Sequence, residues 1–212
     1  MNVLRRSIIH EDKRLLVLDK PSGVAVHGGS GISAGVIEGL RALRDAPYME
    51  LVHRLDRETS GCLLIALKRS ELRSLHELIR EGRIEKRYLA LVQGQWGRGH
   101  TRLEHRLETT RGGGGERYVR VGPEGKRSVS RVAPVELNRA ASLLEVTLET
   151  GRTHQIRAHL EVLGHPLLVD ARSGRRKGWR VVDPRGKLDA RLRRTPLHAS
   201  QLVIPHPRSG AR

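Results

Sequence analysis

Between Leu51 and Gly61 the chain reads Leu-Val-His-Arg-Leu-Asp-Arg-Glu-Thr-Ser-Gly, which puts five ionisable groups and two hydroxyls into one short stretch. A carboxylate such as Asp56, set among His53, Arg54 and Arg57, can act as a nucleophile, a base or a stabiliser of positive charge. The residue types alone leave a second reading open, that of a solvated, charged turn. Tyr88, one of only three tyrosines, lies in Lys86-Arg87-Tyr88-Leu89-Ala90-Leu91-Val92. Taken by itself, a strand tyrosine is more often core packing than catalyst. A third stretch, Thr150-Gly151-Arg152-Thr153-His154-Gln155-Ile156-Arg157-Ala158-His159, gathers cations around a helix start. Thr153 is a good N-cap, so Arg152 is expected just outside a helix N-terminus, where free N–H groups favour anions. A plain phosphate contact or a surface ion pair is the alternative for Arg152.

These residues need elements to hold them. Ser7–His10 and Leu15–Asp19 read as short strands, followed by the breaker Pro21-Ser22-Gly23 and a flexible loop from His27 to Gly31. Val36, Ile37, Leu40 and Leu43 have helical spacing. Cys62–Leu67 is a continuous apolar run, as in a strand buried on both faces. Leu72, Leu75, Leu78 and Ile79 mark a second helix that Gly82 can stop. Lys86–Val92 reads as a strand, and further strands are expected around Leu103 and Val129. Between these two, the polar stretch from about Thr109 to Arg127, which contains Gly112–Gly115, reads as a mobile loop. Leu144, Val146 and Leu148 alternate with polar residues as in a half-buried strand. Ile156, Leu160 and Leu163 stripe a helix ending at Gly164, and Leu197–Ile204 is a last strand. Ala171–Arg194, rich in arginine, reads as a long surface excursion. Strands and helices mix without a strict βαβ rhythm, so the expected class is α+β with a mixed, mainly antiparallel sheet.

Composition narrows the partner. Forty Lys+Arg against 23 Asp+Glu give a formal charge of +17 over 212 residues, which favours a polyanion. A GC-rich genome accounts for arginine in place of lysine, but not for the deficit of acids. Aromatics are 2% of the chain and Phe is absent, which argues against an aromatic platform for single strands. The single cysteine, Cys62, excludes an internal disulfide, and no Cys/His spacing suits zinc. The first twenty residues lack the apolar core of a signal peptide, and no apolar run is long enough to span a bilayer. Cytoplasm is the expected location.

His53-Arg54-Leu55-Asp56-Arg57-Glu58-Thr59-Ser60-Gly61 matches, uninterrupted, the HRLDxxTSG signature of the RluA-like pseudouridine synthases. Asp19-Lys20-Pro21-Ser22-Gly23-Val24-Ala25-Val26-His27 resembles that family's DKPxGxxVH segment. The Tyr88 stretch matches its KxYxAxV strand, and the Arg152 stretch its TGRTHQIRxH element. The resemblance runs from about Ile8 to Pro207. It implies a pseudouridine synthase fold with flanking helices and a central RNA-binding cleft, and the isomerisation of uridine in structured RNA without metal or cofactor. Asp56 is then the catalytic carboxylate, Tyr88 lies against the target base, and Arg152 pairs with the carboxylate to hold it ionised. Arg54 fills the space that the flipped uridine leaves. His53, Arg57, His154, Gln155 and Arg157 are expected as RNA contacts, with structural support the alternative for His53, His154, Gln155 and Arg157.

Within the family, the nearest likeness implies large-subunit (23S) ribosomal RNA as substrate and partner. Transfer RNA, or a catalytically silent RNA-binding or ribosome-assembly role, are the alternatives. Relatives carry an S4-type domain ahead of the catalytic domain and a further strand after it. Residues 1–212 are therefore expected to be the catalytic domain alone, monomeric, with its C-terminal end truncated and the Arg-rich excursion compensating electrostatically.

Overall fold

The computed structural model describes residues 2–29, 34–44, 48–111, 117–170 and 194–205. The Gly112–Gly115 loop and all but the last residue of the Ala171–Arg194 excursion lie outside these residues. The chain divides into two compact units, residues 1–86 with 198–212, and residues 87–197.

The first unit opens with the one-turn helix α1 (Asn2–Arg6), then β1 (Ile8–Glu11) and β2 (Leu15–Lys20), which pair antiparallel. Helix α2 (Val36–Leu43) follows, its Val36, Ile37 and Leu40 buried. Glu38 supports its start. The Glu38 carboxylate accepts the Gly35 and Gly28 amides at 2.8 and 3.0 Å. Burial raises its pKa, but those bonds outweigh burial and hold it below the usual carboxylate value. The short β3 (Glu50–Leu51) and β2 both pair antiparallel with β4 (Ser60–Ala66), whose residues are buried except for Cys62, which is half-buried. That is the burial a continuous apolar run implies.

Helix α3 (Arg69–Arg80) lays Leu75 and Leu78 onto Val52, Leu64, Ala66 and Ile84, with Leu15, Val17, Leu72 and Ile79 at the margin. Burying such a leucine contributes about 1.5–3 kcal/mol. The chain leaves α3 through Gly82 at φ 68°, the left-handed stop expected for a glycine. The unit is completed by β10 (Leu197–Val203), which runs parallel to β4 with His198 opposite Ser60 and Ala199 opposite Gly61.

In the second unit the strands run in the spatial order β5 (Glu85–Gln93), β9 (Ala141–Leu148), β8 (Lys126–Leu137), β6 (Thr101–Arg111), β7 (Arg117–Val121). Pairings β6–β7, β6–β8 and β8–β9 are antiparallel. Helix α4 (Gln155–Val162) buries Ile156, Ala158 and Leu160. Pro134 falls beside an irregularity in the β8–β9 register, where its missing N–H leaves no regular rung to complete. The expected elements are present, with α1 and β3 added. Two expectations are corrected: the stretch read as a loop from about Thr109 to Arg127 contains β7, which pairs with β6, and the N-cap of α4 is His154, not Thr153, with no side chain capping the helix. Arg152 therefore stands three residues before the first helical residue.

Candidate active site

The Asp56 loop is built by tying its ends and middle to the first unit's core. Val52 and Leu55 are 4% exposed and anchor the loop from below. The Val52 N–H donates to the Leu64 carbonyl at 3.0 Å, and the Leu64 N–H donates to His53 Nε2 at 3.2 Å. With Nε2 accepting, a neutral ring carries its proton on Nδ1. Burial pushes the His53 pKa down to about 4, the Lys86 charge adds to this, and a hydrogen bond to the Arg54 backbone opposes it. His53 is thus a neutral internal brace, which favours the structural of its two readings. Arg54 and Arg57 are exposed, and Asp56 is half-buried. The Thr59 N–H closes the turn on the Asp56 carbonyl at 3.1 Å.

The Asp19–His27 stretch clasps this loop from the side. Arg57 Nε donates to the Gly23 carbonyl at 2.9 Å, and the Gly23 N–H donates to the Arg57 carbonyl at 2.8 Å. Ser22 Oγ donates to the Glu58 carbonyl at 2.6 Å. Gly23 has φ 87°, a conformation that favours glycine. Beneath them Lys20 is fully buried, its ammonium donating to the carbonyls of Pro21, Val24 and Arg57 at 2.9, 2.7 and 3.1 Å. Burial lowers its pKa to about 8, against the pull of the Glu58 and Asp56 charges. A buried ammonium tolerates burial only when its three donors are satisfied, and here they are. Sequence reasoning gave Lys20 no role of its own, because a motif lysine looks the same whether it faces solvent or the interior.

The second unit carries the other residues singled out by the sequence. Tyr88 is buried on β5 at 7% exposure. Gln155, expected as an RNA contact or a support, is 2% exposed with all four amide positions engaged. Its Oε1 accepts Thr150 Oγ1 at 2.8 Å and the Arg152 N–H at 3.0 Å. Its Nε2 donates to the Val129 carbonyl at 2.9 Å and Ser130 Oγ at 3.0 Å. Thr150 Oγ1 in turn accepts the Val129 N–H at 2.8 Å. This bolt holds the turn that presents Arg152, whose guanidinium is exposed and donates to the Arg127 carbonyl at 3.3 Å. His154 closes the turn at φ 51° and ψ 24°, the only non-glycine residue with positive φ among the described residues. A side chain held in that region costs on the order of 1–2 kcal/mol, and the Gln155 bonds supply the compensation.

Arg157 turns inward. Its Nε donates to Asp170 Oδ2 at 2.8 Å and its terminal nitrogen to Asp170 Oδ1, and both side chains are under 9% exposed. His159 is 1% exposed, with Nδ1 against Ser130 Oγ at 3.0 Å. Burial, then the nearby His105, push its pKa down to about 4. Among the described residues no group of three His, Cys, Asp or Glu side chains is placed to hold a metal, and no helix is long and apolar enough to cross a membrane.

Residues 14–162 match the family model for RNA pseudouridylate synthases. Ribosomal large subunit pseudouridine synthase C of Escherichia coli K12 is 52% identical over 96% of this chain and 63% of its own length. The protein of that name from Pasteurella multocida is 49% identical over 98% of the chain and 62% of its own length. The chain therefore spans less than two thirds of these relatives. Among solved structures, human RNA pseudouridylate synthase domain containing 1 superposes with a TM-score of 0.75 at 28% identity, over 94% of this chain and 78% of that one. Domain containing 4 gives 0.74 at 25% identity, over 96% and 86%. A mainly antiparallel mixed sheet with few helices, an HRLDxxTSG loop locked onto the core and a match over most of the chain agree, and the protein belongs to the RNA pseudouridylate synthase family.

Proposed function

We propose that this protein isomerises specific uridines to pseudouridine in large-subunit ribosomal RNA, with Asp56 as the catalytic carboxylate. The observation that carries the reading is the Asp56 loop. It keeps the family's signature without a gap, it is fixed from Val52 to Thr59, and the chain around it is half identical to a named large-subunit synthase. The reaction breaks the C1′–N1 bond, turns the base, and joins C1′ to C5. The hydrogen at C5 leaves as a proton and N1 gains one, so atoms balance without a cofactor. Glycosidic cleavage builds positive charge at C1′, which a carboxylate stabilises or captures. Flipping the uridine out of folded RNA costs a few kcal/mol, and exposed Arg54 is suited to fill the gap.

Tyr88 and Arg152 take the family roles of base contact and carboxylate partner. Arg57 and His154 remain candidate RNA contacts, whereas the hydrogen bond from Leu64 to half-buried His53 and the burial of Gln155 and Arg157 support a bracing role for each. The reading places the protein in the cytoplasm as a monomer, with ribosomal RNA as its partner.

Tritium release from C5-labelled uridine in unmodified large-subunit RNA tests this, with Asp56→Asn as control. Release by the wild type alone establishes reaction and catalyst together. Release only from transfer RNA would reassign the substrate. RNA binding with no release from either would leave a silent RNA-binding protein.

A further inference from the structure

The end of the first unit's sheet remote from the Asp56 loop carries four cations that the reaction does not use. The β2–β4 register sets Leu15 opposite Ala66, and the Leu67 N–H donates to the Arg14 carbonyl at 2.7 Å, so Lys13, in the turn before β2, and Lys68 both lie just past this end of the pair. Arg69 opens α3, and Arg73 follows one turn later on the same side. All four residues are exposed. Three nearby carboxylates are occupied elsewhere. Asp12 accepts the Arg14 and Leu15 amides at 2.6 and 2.7 Å, Glu71 is buried beside Arg14 at 3.7 Å, and Glu50 pairs with Arg41 at 2.7 Å. Among the described residues no carboxylate pairs with Lys13, Lys68, Arg69 or Arg73. Arg69 instead lies over the Tyr48 ring at 6.0 Å.

This arrangement differs from the basic surface of β6, β7 and β8. On β6, β7 and β8 the exposed arginines Arg102, Arg120, Arg127 and Arg131 are each tied to Glu104, Glu108 or Glu149. Those cations must release a carboxylate before taking a phosphate. The four on the first unit need not, so the counterions they displace from RNA are a net gain. Ser60–Ala66 spans about 20 Å at a strand's rise, which separates the patch from the catalytic loop by roughly that distance. No side chain in the patch reaches the reacting atoms.

We propose that Lys13, Lys68, Arg69 and Arg73 form a second RNA-binding surface, which grips phosphates of the substrate about 20 Å from the target uridine. It rests on the reading of the substrate as ribosomal RNA. Point-charge lysines beside forked arginines suit phosphate oxygens and carry no base preference. The surface therefore contributes affinity and orientation of a flanking helix, not choice of base.

The test compares wild type with the variant Lys13→Gln, Lys68→Gln, Arg69→Gln, Arg73→Gln on one unmodified large-subunit rRNA transcript. A second variant, Arg5→Gln, Arg6→Gln, Arg98→Gln, Arg139→Gln, removes the same charge elsewhere. Binding is read between 50 and 200 mM salt, and tritium release at saturating RNA. The patch variant is expected to lose on the order of 10–100-fold in affinity at low salt, and its log K against log salt slope to fall by roughly 3. Its release rate at saturating RNA stays unchanged, which also shows that it folds. Unchanged affinity and slope, or equal losses in both variants, overturn the proposal while wild-type turnover keeps the substrate reading intact. If wild type itself neither binds nor turns over the RNA, the substrate reading fails and takes this surface with it.

Discussion

Ser60 Oγ and His198 Nδ1 meet at 3.0 Å across the parallel pair β4 and β10, at the point where the Asp56 loop becomes strand. One residue further on, Gly61 sits at φ 109°, and a Cβ there would overlap the Ala199 carbonyl. The last strand of the first unit thus fits the exit of the loop in two ways, by a side-chain hydrogen bond and by backbone contact that only glycine allows.

His198 is accordingly a positioning residue. His198→Ala is expected to lower the rate at saturating RNA by roughly fivefold, the effect of losing one part-buried hydrogen bond worth about 1 kcal/mol. RNA affinity should not change. His198→Asn, which keeps a polar atom near the Nδ1 position, should recover most of the rate. Loss of affinity without loss of rate would assign His198 to RNA instead.

Gln155 offers a sharper dissection, because its two ends do different things. Gln155→Glu keeps the acceptor for Thr150 and Arg152 but sets a carboxylate oxygen against the Val129 carbonyl. Gln155→Leu removes both ends and leaves the Arg152 amide unpaired. Each unsatisfied buried group costs about 1–3 kcal/mol, so urea denaturation should rank wild type above both variants. RNA binding by either variant should fall only as far as the folded fraction does. A specific loss of affinity in fully folded protein would restore Gln155 as an RNA contact.

The Arg157–Asp170 pair should show strong non-additivity. Removing either partner alone strands a buried charge, at about 3–5 kcal/mol. Arg157→Met with Asp170→Leu should cost clearly less than the sum of Arg157→Met and Asp170→Leu made separately. A double-mutant cycle in urea measures the coupling, and a near-zero value would mean that the pair does not hold α4 in place.

Acid sensitivity follows from buried His159 and half-buried His53, both held neutral. Each has a folded pKa of about 4, below the ordinary histidine value of 6.5. Between those values the unfolded chain binds a proton that the folded one refuses. Their stabilisation is therefore complete above pH 6.5 and lost as pH falls towards 4, by up to about 1.4 kcal/mol per pH unit for each group. His159→Asn, which cannot titrate, should flatten that slope in denaturation curves taken between pH 6.5 and 4. An unchanged slope would show that His159 already carries its proton in the fold.

Most of the strands and helices were legible because their apolar spacing is local. Cys62–Leu67 and the α3 leucines announce themselves within a single turn or strand. The elements that escaped are short or charged: α1 spans one turn, β3 has two residues, and β7 reads Arg-Tyr-Val-Arg-Val after a run of glycines. The residue types of the candidate site were legible too, but not their directions. Arg157 and Gln155 look like RNA contacts in a motif rich in cations, and only β8 beneath Gln155 and the Asp170 carboxylate beside Arg157 show that they point inward. Thr153 lost its expected capping role because Gln155 gathers Thr150 and Arg152, which delays the helix start to His154. Ser60 and His198 are 138 residues apart, so no local pattern links them.

That separation sets an order of events during synthesis. Residues 87–197 are an insertion between the loop that bears Asp56 and the strand that braces it. At roughly 5–20 residues per second, a ribosome needs about 7–28 s to go from Ser60 to His198. Through that interval the nascent Asp56 loop has no β10 beside it. The Asp56 carboxylate is thus made early, and the strand that fits the exit of its loop arrives late.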